Sequence, residues 1–326
     1  MRTLLGRGFP LSILFQAPTV EKLADLIRKD GWSPHWFSLV PIQPGGTKPV
    51  FFCVHGGGGN VLIYRQLARH LGADYPFYGL QARGLDGSGD FLTTVETMAE
   101  SYLREIRQLQ PEGPYFLGGF CMGGQVALEI AQRLVRAGEH VDLLFTIDTV
   151  NFNGAPLPSP AKGKAGRAGQ NGKGHSSNGS KIRLQQQIAY LTEKSQIALR
   201  KKVERLRIAF VHLLKLNPHR DVVRGTLEEV MEEMNDRAFL AYVPEVYPGK
   251  MTLCRPQRKS SFLRDPIDGW GNIAAGGVDV IELPSGPADI FLEPHVQTLA
   301  GELKQQIERA VFRSAANFDS PEAVLK

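Results

Sequence analysis

The sequence predicts an α/β fold with a mostly parallel central sheet, on the strength of two observations. From about residue 48, short apolar runs that suit buried strands alternate with amphipathic helical stretches, the pattern of a sheet covered on both faces. After Pro156 that rhythm breaks off, and it resumes near Met251, so the domain carries a large insertion. With 326 residues and 42% hydrophobic content the chain can bury a sizeable core, and its length fits one such domain with modest appendages.

The expected strands are Val50 to Val54, Phe77 to Leu80, Tyr115 to Leu117 and Leu143 to Ile147. Between the second and third, Val95, Met98, Ala99, Tyr102 and Ile106 share one helical face; beyond the third, Val126, Ala127, Ile130 and Leu134 do the same. Ala161 to Ser180 is rich in Gly, Ser, Lys and Asn and holds no acidic residue, a composition that cannot bury enough surface to order itself and is expected as a loop. Helical stripes follow at Leu184, Ile188 and Leu191 and at Leu199, Val203, Leu206 and Phe210, with a further helix around Leu227 to Leu240. Strands near Met251 to Cys254 and Val278 to Leu283 and a last helix through Leu299 complete the pattern. Ahead of the sheet, Val20, Leu23, Ala24 and Ile27 recur at helical spacing, with Thr19 placed to cap and Glu21 in the first turn. Such a helix is too short to stand alone. The expected divisions are an N-terminal unit at 1–32, a linker at 33–47, the main domain at 48–315 with its insertion at about 156–245, and a tail at 316–326.

Composition removes several classes of function. No stretch approaches the roughly 20 apolar residues of a membrane helix, and the run Leu11 to Phe15 is short and follows Pro10, so a cytoplasmic protein is expected. Three widely spaced cysteines make neither a disulfide framework nor a zinc pattern, and no metal or prosthetic group is implied. Cys53 and Cys254 lie in apolar, strand-like runs that suit core packing; Cys121 does not. The net charge of +5 comes from basic residues concentrated in the insertion and one helix, without interleaved aromatics, which argues against nucleic acid. The basic stretch Arg200 to Arg220 is either a docking face for an acidic partner or a solvated face.

Chemistry begins at Gly119-Phe120-Cys121-Met122-Gly123-Gly124, preceded by a strand and followed by an amphipathic helix. That is the context of the Gly-x-nucleophile-x-Gly elbow of α/β-hydrolases, in which a tight strand-to-helix turn needs small neighbours. The following helix aims its N–H groups and positive dipole end at the site, and a cysteine at a helix N-terminus gains thiolate character. A Gly-rich turn with a buried cysteine is the structural alternative. His55-Gly56-Gly57-Gly58-Gly59 follows the first strong strand, where these hydrolases build the other half of an oxyanion hole from backbone N–H groups. In an α/β-hydrolase, an insertion after the strand ending at Ile147 is a lid.

From about Val40 to Leu303 the chain resembles the type I thioesterase domains that end nonribosomal peptide and polyketide synthetases. The blocks FFCVHGGGGNVLIYRQLARHL, PFYGLQARGLDG, GPYFLGGFCMGGQVALEIA, YVPEVYPGKMTL and LEPHVQTLA stand in that family's order and spacing. The resemblance implies Cys121 in the nucleophile position usually held by serine, oxyanion donors from the backbone N–H groups of Gly57 and Met122, and Asp148 as the acid. An aspartate at a strand end is otherwise a turn residue. It also implies an acyl- or peptidyl-carrier partner whose 4'-phosphopantetheine brings the substrate, with no cofactor bound by this chain itself. The segment around Phe15-Gln16-Ala17-Pro18-Thr19 resembles the closing segment of a carrier domain, although the serine that would hold phosphopantetheine is not in this chain.

The pattern fails at the histidine. Counting back without gaps from Glu293-Pro294-His295-Val296, Pro287 falls where the family carries its base, and proline accepts no proton. His295 matches a second histidine at the start of the family's last helix, suited to packing there or to serving as a relocated base. His55 is a weaker candidate. His70, His140, His175, His212 and His219 have contexts that suggest nothing catalytic. A thiol depends less on a base than a hydroxyl does, so three outcomes are open: release of the acyl group by hydrolysis, cyclisation or aminolysis; transfer between carriers; or a non-catalytic carrier-binding domain.

Overall fold

The computed structural model describes residues 13, 17, 19–28, 38–85, 90–151, 188, 192, 222–257, 267 and 269–318. The loop expected at Ala161 to Ser180 and most of the helical stretch from Leu184 to Phe210 lie outside the described residues. Helix α1 (Val20–Arg28) starts as its sequence suggests: Thr19 Oγ1 accepts from the Lys22 N–H at 3.2 Å.

The described strands form one seven-stranded sheet in the order β1-β3-β2-β4-β5-β6-β7. They are β1 (Leu39–Gln43), β2 (Phe51–Val54), β3 (Phe77–Leu80), β4 (Tyr115–Phe120), β5 (Val141–Ile147), β6 (Met251–Pro256) and β7 (Val278–Leu283). Every pairing is parallel except β1 with β3. Residues 39–43, expected in a linker, are therefore the antiparallel edge of the sheet. Pro41 obscures this strand in the sequence, since proline cannot donate to a ladder, but an edge strand with a bulge tolerates it.

Alternation along each strand divides the core into two. Phe52, Val54, Leu117, Leu144 and Leu253 face helices α3 (Val95–Leu109), α4 (Met122–Arg136) and α5 (Val222–Ala241), where Met98, Tyr102, Val126, Ile130 and Phe239 meet them. Phe51, Cys53, Phe77, Phe116, Phe145 and Cys254 face α2 (Arg65–Leu71) and α6 (His295–Phe318), packing on Leu67, Leu71, Leu299 and Leu303. Cys53 and Cys254 are core residues as expected. Helix α3 opens with a reciprocal cap between Thr94 and Thr97.

The insertion leaves the sheet after β5 and returns before β6. Helix α4 holds both of its ends. Gln125 donates to the Val150 carbonyl at 3.1 Å. On the return side, Tyr242 donates to Glu129 Oε2 at 2.8 Å, and Gln132 and Arg136 bond the Glu245 carbonyl and carboxylate, each at 2.5 Å. Glu129 is buried but bonded to Arg133 and Tyr242, as a buried charge must be. No described helix is long and apolar enough to cross a membrane.

Candidate active site

Strand β4 runs directly into α4, and Cys121 is the single residue between them. Its φ of 54° with ψ of −122° lies outside the ordinary L-residue regions, a conformation that costs about 1–3 kcal/mol and persists only where the surroundings impose it. Its N–H donates to the Ile147 carbonyl at 2.8 Å, and its own carbonyl accepts from the Gly124 N–H at 3.1 Å. Unlike the fully buried Cys53 and Cys254, Cys121 is partly exposed. The glycines after it are required by close packing. A Cβ on Gly123 would stand 2.3 Å from the His55 carbonyl oxygen and 2.5 Å from that of Val54, and one on Gly124 would stand 2.1 Å from Thr149 Oγ1. The first turn of α4 thus rests on the backbone of the glycine loop and on the segment after β5.

That contact brings the Met122 turn beside the loop of Gly57, at the carboxyl ends of the paired strands β2 and β4. The loop is tied to its surroundings at several backbone groups. The His55 N–H donates to the Leu80 carbonyl at 2.9 Å, Gly59 to Gly56 at 2.9 Å, and Ala82 to Gly59 at 2.8 Å. The buried His55 ring has Nδ1 2.7 Å from the Gly56 carbonyl and Nε2 2.8 Å from the Tyr102 hydroxyl. A carbonyl only accepts, so Nδ1 carries the proton and Nε2 accepts from tyrosine. Burial holds the ring neutral by lowering its pKa to about 4. His55 is therefore an anchor of the loop, with both nitrogens occupied.

Asp148 leaves β5 one residue after Ile147, which pairs with Phe120, so Cys121 and Asp148 emerge from adjacent parallel strands at the same level. Asp148 has φ of 47°, a left-handed position that aspartate tolerates, and its N–H donates to the Cys254 carbonyl at 2.8 Å. The next residues are braced from three sides: by Gln125, by the buried Trp270 donating to the Thr149 carbonyl at 3.0 Å, and by Asn151 donating to the Gly269 carbonyl at 3.1 Å. Burial raises the Cys254 thiol beneath them well above its usual value, and the charges of Glu302 and Asp148 add to the effect.

Pro287 sits exposed in the turn after β7. His295 begins α6, with Nε2 3.8 Å from Asp289 Oδ2. Between them Phe291 meets Phe120 edge-on at 4.9 Å between centroids and Tyr64 at 5.6 Å, an aromatic wall next to the elbow. His70 pairs with Glu293 at 2.6 Å. His175, His212 and His219 lie outside the described residues. Among the described residues no cluster of three or more His, Cys, Asp or Glu side chains is arranged to hold a metal ion.

Sequence patterns did not single out Trp270, Gln125 or Asn235, which hold the site from behind. A buried amide or indole without periodicity leaves no local signal; only the fold reveals its partner.

A strained elbow cysteine, a glycine loop against its helix, and an aspartate on the neighbouring strand are the arrangement on which the comparisons bear. Residues 49–156 match the thioesterase domain family. The chain is 40% identical over 157 residues, 48% of its length, to a dimodular nonribosomal peptide synthase of Bacillus subtilis, covering 7% of that protein. It is 43% identical over 143 residues, 44% of its length, to the indigoidine synthase of Dickeya dadantii, covering 10%. The chain thus spans a tenth or less of these curated relatives. The NocB thioesterase domain, solved as a covalent complex with a fluorophosphonate nocardicin G analog, matches 84% of this chain and 99% of its own at 24% identity with a TM-score of 0.58. A four-domain nonribosomal peptide synthetase bound to AMP and glycine matches 93% of this chain and 23% of its own at 23% identity with a TM-score of 0.62. At those identities the structures establish the fold alone, an α/β fold with a mostly parallel seven-stranded sheet.

Proposed function

We propose that this chain transfers acyl groups from the 4'-phosphopantetheine thioester of a carrier protein through an acyl-Cys121 intermediate. The observation that supports this most is the partly exposed cysteine held at φ of 54° between β4 and α4, with the glycine loop packed on the same turn. The Cys121 thiolate attacks the thioester carbonyl carbon, and charge develops on the carbonyl oxygen, for which the Gly57 and Met122 N–H groups are the donors. The pantetheine C–S bond then breaks, the pantetheine sulfur leaves and takes a proton, and the acyl group remains on Cys121. Asp148 occupies the acid position on the neighbouring strand.

Discharge is where Pro287 matters. Water needs activation that a base typically supplies at about 10²–10⁴-fold, whereas an amine or thiol needs less. With proline at the family's base position, and His295 placed beside Asp289 in keeping with a helix-start role, aminolysis, cyclisation by an internal amine, or transfer to a second carrier's thiol is favoured over hydrolysis. Each regenerates the Cys121 thiolate as the acyl C–S bond breaks. The carrier-like segment around Phe15-Gln16-Ala17-Pro18-Thr19 fits this setting.

The test is mass spectrometry of the protein mixed with an acyl-loaded carrier. An acyl adduct should appear on Cys121, persist in water, and disappear when an amine or thiol acceptor is added. His295→Ala should leave both steps within about twofold, set against the 10²–10⁴-fold loss expected on removing a base. Acyl turnover by Cys121→Ala at the wild-type rate would overturn the nucleophile assignment.

A further inference from the structure

Four consecutive glycines, Gly56 to Gly59, form the loop that carries one oxyanion donor, and no side chain of its own holds that stretch. Glycine peptides turn about φ and ψ at little steric cost, so such a loop keeps one geometry only if its carbonyls are tied down. On the N-terminal side of Gly57 this is done twice, since the Gly56 carbonyl accepts from both the Gly59 N–H and His55 Nδ1. On the C-terminal side, the Gly57 carbonyl accepts at 2.8 Å from Nδ2 of Asn235, and the donor comes from α5, the last helix of the insertion. One turn earlier on the same helix, Met231 covers the loop: its Cγ would stand 3.1 Å from a Cβ placed on Gly59.

Asn235 has no exposed surface, and its Oδ1 has no hydrogen-bond partner. For filling space alone, leucine of similar size would avoid burying an unsatisfied amide oxygen. What the amide adds is the single bond to Gly57. We propose that Asn235 is a positioning residue: by tying the peptide after Gly57 it locks this glycine's φ and ψ between two held peptides, so that the Gly57 N–H, on the peptide pinned at the Gly56 carbonyl, keeps its direction toward a developing oxyanion. This rests on the thioester chemistry proposed above. It also makes the oxyanion site a joint product of the sheet and the insertion, complete only with α5 seated on the loop.

The test separates oxyanion chemistry from thiol chemistry in the intact chain. Acylation of Cys121 by an acyl-pantetheine thioester passes through an oxyanion, and alkylation of the same thiol by iodoacetamide does not. Asn235→Asp keeps the shape and removes the donor, and Asn235→Leu removes both polar atoms. Both should acylate about 10- to 100-fold more slowly, short of the 10²–10³-fold cost of deleting a donor outright, while alkylating within about twofold of wild type. For Asn235→Asp the deficit relative to wild type should narrow at low pH, where the protonated carboxyl can donate to the Gly57 carbonyl again. Wild-type acylation rates in both variants would overturn the proposal, as would equal slowing of acylation and alkylation, which marks a structural role. A wild-type protein that alkylates at Cys121 but never takes up an acyl group would overturn the thioesterase reading itself, and this proposal with it.

Discussion

Replacing Gly123 by alanine should injure both the fold and the chemistry. The added Cβ would meet two backbone oxygens, of His55 at 2.3 Å and of Val54 at 2.5 Å, where ordinary contact begins at 3.4 Å. Neither can rotate aside as a side-chain tip would, so the start of α4 must retreat from the glycine loop by about 1 Å. Overpacking of this kind costs about 1–3 kcal/mol, and at about 2–4 °C per kcal/mol for a domain of this size the melting temperature should fall by several degrees. The same retreat carries Met122 away from Gly57, and a misplacement of about 1 Å can cost about 10²-fold in rate. Gly301→Ala is the control. It lies in α6, where an added Cβ finds nothing within 4 Å, so exchanging glycine for alanine in a helix should stabilise by about 0.5–1 kcal/mol and leave the rate unchanged. Thermal unfolding and single-turnover acylation of Cys121 measure the two effects. A Gly123→Ala protein that melts within a degree of wild type and acylates at its rate would refute the argument that packing of α4 on the loop sets the elbow.

The buried neutral His55 predicts a specific pH dependence. Its folded-state pKa is depressed from 6.5 to about 4, so its contribution is fully present above pH 6.5 and is lost as pH falls from there toward 4, about 3 kcal/mol in all. Urea unfolding at pH 7, 5.5 and 4 should show that loss in wild type but not in His55→Gln; parallel slopes would contradict it. Thiol labelling makes a second check. Cys53 and Cys254 are fully buried, and burial pushes the Cys53 thiol up to about 12, so native protein should take one iodoacetamide, on Cys121, and unfolded protein three. Native labelling at either core cysteine would disprove that packing.

Those parts of the fold that follow from period and spacing were legible in the sequence: the buried strands, the one-faced helices and the strand-to-helix turn at Cys121. The pairing of β4 with β5 that sets Asp148 beside Cys121 was not, and Asp148 stood out only through the family resemblance. Strand β1 was not, because Pro41 argues against a strand unless the strand is known to be an edge. The short helix Arg65–Leu71 also escaped notice; seven residues carry too little periodicity to stand out. The supports of the site were invisible for a different reason. Asn235 is 178 residues from Gly57, and Trp270 is 121 from Thr149. Their roles are tertiary, and no local pattern encodes a contact of that span.

The two clamps on α4 bear on how such a domain diversifies. The insertion departs under Gln125 and returns under Glu129, Gln132 and Arg136, so a single helix holds both ends in place. What lies between can be exchanged as a cassette while those bonds keep the segments after β5 and before β6 in place, and under the acyl-transfer reading proposed above a lineage could vary the walls near Cys121 without moving it. Asn235 limits that freedom. A replacement cassette must bring its own donor to the Gly57 carbonyl, or it inherits a sheet with a slack glycine loop.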